Sequence, residues 1–296
     1  MRFLQRMVVP LSLTEADRDV LRYAGLVARL GVSREFHFVH VLAQQGLRPE
    51  DRECVNAIDR VAWQVDEYFR DYPENLQVTC EVRGGLRLDR LLEFMRDRGA
   101  YSMLVGTGRS ESDQSSTAVQ LALSGRCSVW AVPPKFSGQI ARILAPVDFS
   151  EPTCESLSLA ALLGRLSGLD DCLALPVGDH QSWPVAVDGG TALQQFLRGV
   201  NTHGLSIVPV SAAGGDQPIS QAIVNCARRY SADLIVLGLS QSRAETERIS
   251  SSVLSQSTVP VLLVRPTVTP RELAPVISEQ DQLGQEKSSP ASSTVS

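Results

Sequence analysis

The chain begins twice, and this duplication limits what it can fold into more than any other feature. The phrase "MVVPLSLTEADRDVL", from Met7, returns as "ILAPVDFSEPTCESL" from Ile143. Placing Met7 on Ile143 gives an offset of 136, which sets Pro10 on Pro146, Thr14 on Ser150, Glu15 on Glu151, Leu21 on Leu157 and Ala24 on Ala160. A second match, between the stretches "SMLVG" and "LIVLG" at offset 132, puts Gly106 on Gly238 and "SVWAVP" on "PVLLVR". Two phrases matching at nearly one offset define a duplicated domain of about 135 residues. The expected organisation is a first domain over 1–135, a linker at 136–140, a second domain over 141–266 and a disordered tail over 267–296. The tail is rich in Ser, Pro and Gln and has no sustained periodicity.

Within each copy, strand and helix patterns alternate. "RMVVPL" and "RILAPV" are short, wholly apolar runs of the kind that make strands buried on both faces. Leu21, Ala24, Val27 and Ala28 then recur at helical spacing, as do Leu157, Ala160, Ala161 and Gly164, with Thr14 and Ser150 placed as N-caps. "EFHFVHVL", "LQVTCEV", "SMLVG" and "CSVWAV" read as four more strands. "CVNAIDRVAWQVDEYF" reads as a helix presenting Val55, Ile58, Ala62, Val65 and Phe69 on one face. The second copy repeats the scheme. Strands alternating with helices of this length imply right-handed crossovers and a parallel sheet covered on both faces.

The net charge of −5 argues against a surface built for nucleic acid or an anionic membrane. In "RGGLRLDRLLEFMRDR" the arginines are interleaved with Asp89, Glu93 and Asp97, which reads as a solvated helix face. Six cysteines at 54, 80, 127, 154, 172 and 226 show no metal-ligand spacing, so reduced thiols in a cytoplasmic protein are expected. No stretch has the length of a signal peptide core or a membrane span. Trp63, Trp130 and Trp183 read as packing residues. His37 and His40, three apart, share a side only if the strand is bulged.

The duplicated layout, with "PVDFSE" after a first strand and "SADLIVLG" and "TVPVLLVRP" at the end, resembles the universal stress protein family, as a tandem member. The resemblance covers residues 1 to about 266. It implies an α/β fold of two tandem, doubly wound, five-stranded parallel-sheet domains of the adenine nucleotide alpha hydrolase-like type. In nucleotide-binding relatives an aspartate after the first strand meets the adenine. A glycine signature after the fourth strand, G-x2-G-x9-G-[ST], holds the ribose and phosphates, because glycines let backbone N–H groups approach the anion.

On these positions the chain departs from the pattern. Pro146-Val147-Asp148 keeps the aspartate, whereas Pro10-Leu11-Ser12 has a serine. In the second copy Gly238 opens the loop, but Gln241 stands where the next glycine belongs. The G-[ST] pair falls on Glu247-Arg248, nine positions after Gly238 where the signature needs 13. In the first copy "GTGRSESDQSS" keeps Gly106 and Gly108, offers Arg109 to a phosphate and puts Ser115 and Ser116 at the pair position, again four residues short. The copy with the better phosphate loop therefore lacks the aspartate, and the copy with the aspartate lacks the loop. The chain resembles the branch of the family with eroded loops that does not bind ATP.

The nucleotide candidates are thus Asp148, Ser150 and Gly238 in one copy and Gly106, Gly108, Arg109, Ser115 and Ser116 in the other. Each has a plainer reading: Asp148 as a helix-capping residue, and Gly106 and Gly238 as the needs of a tight strand-to-helix turn. Ser150 lies outside any G-x-S-x-G elbow. No catalytic constellation, metal site or resident cofactor is expected. The leading expectation is a non-enzymatic stress-response protein acting by protein association, its two copies packed as a pseudo-dimer through the apolar strands "SVWAVP" and "PVLLVR", with a further homodimer left open. The alternative is an adenine-nucleotide sensor using Asp148 and the Gly238 loop.

Overall fold

The computed structural model describes residues 4–70, 72–107, 114–124, 127–136, 138–178, 196–212, 217–239 and 243–265. Met1–Pro266 form one compact unit. The expectations for the tail, Gly108, Arg109, Gln241 and Trp183 lie outside the described residues, as do those for the side chains of Ser115 and Ser116.

The first half runs β1 (Arg6–Leu11), α1 (Asp17–Arg29), β2 (Glu35–Leu42), α2 (Arg52–Tyr68), β3 (Gln77–Gly84), α3 (Arg87–Arg98), β4 (Ser102–Gly106), α4 (Gln114–Ser124) and β5 (Ser128–Val132). The second runs β6 (Ile143–Val147), α5 (Glu151–Leu166), β7 (Asp171–Pro176), β8 (Ser206–Pro209), α6 (Ile219–Arg229), β9 (Leu234–Gly238), α7 (Arg243–Gln256) and β10 (Val261–Val264). All ten strands belong to one sheet, in the order β3-β2-β1-β4-β5-β10-β9-β6-β7-β8. Each half is parallel and doubly wound. The halves meet where β5 and β10 pair antiparallel, with Ala131 opposite Val261, Trp130 opposite Leu262 and Val129 opposite Leu263.

Alternation along the strands assigns each side chain to a layer. Met7, Val9, Leu104 and Trp130 face α1, α2 and α5, whereas Val8, Met103, Val105 and Val129 face α3, α4, α6 and α7. Both layers run unbroken across the β5–β10 seam, so the two halves share their cores. Tyr23 of α1 marks the centre of the first layer. It is fully buried, tilted against Trp130 at 5.9 Å and edge-on to Phe136 at 5.2 Å. Burial, with Asp233 nearby, pushes its phenol well above the usual range. Burial likewise raises the thiols of Cys127 and Cys172 to about 12, as expected of core residues with little thiolate character.

Polar ties also cross between the halves. Arg265, just past β10, donates through Nη1 to the carbonyls of Ala122 (2.9 Å) and Leu123 (2.8 Å), supplying cationic donors to the last turn of α4. Just past the linker, the start of the second half is anchored within that half: Ala141 N donates to Asp233 Oδ2 at 3.0 Å, and Arg142 Nη1 to the Tyr230 carbonyl at 2.7 Å.

Several local expectations need correction. The first helix starts at Asp17 with Ala16 as its cap residue, not at Thr14. Of the expected α2 face, Val65 and Phe69 are buried and Ile58 is half-buried, but Val55 (43% exposed) and Ala62 face solvent; Cys54, Ala57, Val61 and Gln64 take the remaining buried positions. Trp63 is 60% exposed and lies edge-on to Tyr68, so it is not a core packing residue. His37 and His40 occupy an unbulged strand and face different surroundings. His37 packs edge-on to Phe94 of α3 and shares a hydrogen bond with Thr79 Oγ1 (2.8 Å). His40 belongs to the site described below.

Two outcomes check this description. Arg265→Ala should lower stability by about 1 kcal/mol in denaturant titration, through the carbonyls it leaves at the end of α4. His37 is 3% exposed, and burial first, then the Arg98 charge, hold its pKa below the usual histidine range. A depressed folded-state value means that the unfolded chain takes up the proton first. Stability is therefore expected to be lost as pH falls below about 6.5. Melting curves between neutral and mildly acidic pH should show this slope, and His37→Gln should flatten it.

Candidate functional site

In a doubly wound sheet the crevice opens where strand order reverses, beyond the carboxyl ends of the strands. Here those points lie between β1 and β4, and between β6 and β9. Proline helps to open both. Gln5 O is paired toward β2, so odd residues of β1 face β2, while even ones, including Pro10, face β4. The β1–β4 ladder accordingly stops at Val8–Met103. Val147 O is paired toward β7, so Pro146 faces β9, and that ladder stops at Leu144–Ile235. Without an N–H, a proline cannot continue the ladder it faces.

The strand exits carry the residues of interest. Leu13 (φ 59°) and Phe149 (φ 63°), 136 positions apart, both take the left-handed conformation, at a cost of about 1–2 kcal/mol each. What offsets that cost is one hydrogen-bonded knot, built in opposite senses in the two halves. In the second half the Asp148 carboxylate, exposed at the strand exit, accepts through Oδ1 from Ser150 N (3.0 Å), Ser150 Oγ (2.5 Å) and Thr153 Oγ1 (2.8 Å). In the first half the carboxylate is Asp17, the position aligned with Thr153, and the hydroxyl is Ser12, aligned with Asp148. Asp17 Oδ1 accepts from Ser12 N (3.0 Å) and Ser12 Oγ (2.8 Å), and Oδ2 from Thr14 N (3.2 Å). Hydroxyl and carboxylate have exchanged places across the same 2.8 Å contact.

The exchange answers why one copy has a serine where the other has an aspartate: the first copy keeps its carboxylate, but on the helix and only 3% exposed. The sequence reading missed Asp17 and Thr153, although extending the 136-residue alignment three positions past Thr14 would have paired them. Ser150 is the N-cap residue of α5, but its side chain makes no capping bond to the helix. It serves the Asp148 knot instead.

Gly106 and Gly238 end β4 and β9 at the far walls of the two crevices. Neither has a positive φ, so the tight-turn reading is not what requires glycine there. Close approach is. A Cβ on Gly106 would lie 2.8 Å from Val20 Cγ2 of α1, and one on Gly238 would lie 2.9 Å from Pro152 O and 3.0 Å from Ser156 Oγ of α5. Helix and strand end are in contact in both halves. The Glu247-Arg248 pair is exposed on α7.

Beside the first knot lies a cavity of about 290 Å³, open to solvent and lined by Ser12, His40, Glu53, Asn56 and Arg60 among others. The carbonyl of Leu11 can only accept, so His40 holds its proton on Nδ1 and donates at 2.9 Å, leaving Nε2 as the second polar atom of the ring. Arg60 Nη2 donates to Leu13 O (2.9 Å) and Gln64 Nε2 to Thr14 O (3.3 Å), pinning the loop to α2. Among the described residues no cluster of three or more His, Cys, Asp or Glu is arranged to hold a metal, and no helix is long and apolar enough to cross a membrane.

This architecture matches solved structures over most of its length. A universal stress protein from Archaeoglobus fulgidus superposes with a TM-score of 0.66 over 88% of this chain and 98% of its own, at 16% identity. A protein of unknown function from Pseudomonas aeruginosa gives 0.61 over 89% and 93%, at 16% identity. A protein described as a putative universal stress protein from the same species gives 0.58 over 89% and 94%, at 17% identity. The chain therefore has the universal stress protein fold. No protein-family model matches the sequence. Among curated proteins, an imidazole-4-carboxamide isomerase from Gemmatimonas aurantiaca is 28% identical over 153 residues, covering 47% of this chain. The chain spans 64% of that enzyme's length, and the match assigns no activity here.

Three substitutions test the knots and the close approach. Asp17→Ala removes the buried acceptor of three donors in a half-exposed loop and should cost about 1–2 kcal/mol, whereas Asp148→Ala, at an exposed site where water can take over, should cost less. Gly238→Ala should cost about 1–3 kcal/mol through overpacking against Pro152. Chemical denaturation of the three variants reads all of these effects.

Proposed function

We propose that this chain is a universal stress protein-like, non-catalytic regulatory protein of the cytoplasm, which acts by associating with other proteins and does not bind ATP. One observation carries the reading: each strand-exit carboxylate is engaged in its own loop. Asp17 is buried and accepts three hydrogen bonds from Ser12 and Thr14. Asp148 has three donors on a single oxygen. The phosphate side supports it, since both loops after the fourth strand are four residues short of the signature. Gly106 and Gly238 are moreover taken up by contact with α1 and α5. On this reading the antiparallel β5–β10 seam is an internal version of a dimer contact.

A second reading has one observation in its favour. Asp148 is exposed and accepts only through Oδ1, so Oδ2 remains to accept from an exocyclic amine. An adenine nucleotide shorter than ATP would ask less of the truncated loop.

Native mass spectrometry of the freshly purified chain, followed by thermal-shift titration with ATP, ADP and AMP, separates the two. The expected outcome is no adduct and no shift at millimolar nucleotide. A stoichiometric adduct that is lost in Asp148→Ala would overturn the association reading in favour of a one-site sensor.

A further inference from the structure

A cavity of about 670 Å³ lies away from both crevices, at the outer edge of β3. Strand β3 is one end of the sheet and pairs only with β2. Gln77 N donates to Arg34 O and Gly85 N to Leu42 O, so odd residues of the strand face β2. The N–H and C=O groups of Val78, Cys80, Val82 and Gly84 consequently point outward, and the Gly84 carbonyl accepts from Arg90 Nε at 2.9 Å. Cys80 and Val82 line the cavity and present the backbone groups that an added strand would need.

The two faces of this edge differ in chemistry. Toward α2 the cavity is apolar, with Leu47, Cys54, Ile58, Cys80 and Val82. Toward α3 it is cationic. Arg83 lies over the Phe94 ring at 5.4 Å, and Arg90 follows one turn into α3. Arg48, at the mouth, has no side-chain partner among the described residues. On the α3 side Glu81 pairs with Arg83 and Arg98 and Glu93 with Arg90, while Asp89 and Asp97 stand exposed on the same helix. At the opposite, Cys54 end stand Glu50, Asp51 and Glu53, and Asp51 accepts from the Arg48 backbone at 2.7 Å. The cavity lining itself holds three arginines, Arg48, Arg83 and Arg90, against one carboxylate, Glu81.

We propose that the free edge of β3 docks an extended segment of a partner protein in which apolar and acidic residues alternate. Its backbone pairs with Cys80 and Val82, its apolar side chains lie on the α2 side, and its carboxylates meet Arg83 and Arg90. A strand's period of two sends alternate side chains to these two different surfaces, so the edge selects a pattern as well as a charge. The inference rests on the association reading and names a surface and a partner chemistry for it.

The test uses the full-length protein and a fluorescent synthetic peptide alternating valine and glutamate, with a valine–lysine peptide as control, read by anisotropy. The valine–glutamate peptide should bind and the control should not. Arg83→Glu combined with Arg90→Glu should weaken binding at least about tenfold. Val82→Pro, which deletes one edge donor, should do the same if the fold is intact by circular dichroism; if it is not, the charge reversals carry the test alone. No binding of the valine–glutamate peptide, equal binding of both peptides, or binding indifferent to the charge reversals would overturn the proposal. So would sedimentation showing that the edge is occupied by a second copy of this chain and freed by the same reversals. Failure here without nucleotide binding leaves the association reading standing, whereas nucleotide binding overturns that reading whatever the peptide does.

Discussion

The rest of the molecule depends on three residue pairs in the middle of the sheet, where β5 and β10 run antiparallel. Without that ladder each half would end in an apolar strand, "SVWAV" or "VLLV", with one row of backbone groups unpaired and both faces needing cover. With it, the two sheets become one and the helices of each half pack over the neighbouring half as well as their own. Tyr23 and Trp130 can then be wholly buried at a place where neither half alone has an interior. The Arg265 contact with the end of α4 acts across the same seam, so the second half completes a helix of the first.

The crevices on either side of the seam follow from equally local causes. A proline at the fourth or fifth position of the first strand faces the neighbour that belongs to the other wing of the sheet, and the ladder parts there. The chain then turns through a left-handed residue that is not glycine, and a hydroxyl–carboxylate knot holds the turn. Because the knot uses the carboxylate that would otherwise face the crevice, the geometry of the loop and its capacity to receive a base are not independent. The same group cannot be fully committed to both.

Much of this was legible in the residues. The 136- and 132-residue offsets, the apolar runs and the helical spacings give the strand–helix alternation that the structure shows, and the Gly106–Gly238 alignment places two structurally equivalent residues. What escaped was whatever depends on orientation. The buried stripe of α2 takes in Gln64, a polar residue that donates to Thr14 O, while Trp63 is left outside; residue type alone points the other way. Close approach of α5 to Gly238 is likewise invisible to spacing, since it is set by how near the helix axis comes to the strand. The roles of Arg265 and His40 rest on contacts between residues far apart in sequence, for which a single sequence carries no signal.

The exchange of hydroxyl and carboxylate between the two knots bears on how the halves could have diverged from a common sequence. Ser12→Asp alone would set two carboxylates against one hydrogen bond in a loop that already contains a strained residue. Asp17→Thr alone would leave two hydroxyls and backbone donors with no anion to share. Each change is better accommodated beside the other, so the two positions are expected to be energetically coupled. Changing both positions together is expected to disturb the loop less than changing either alone.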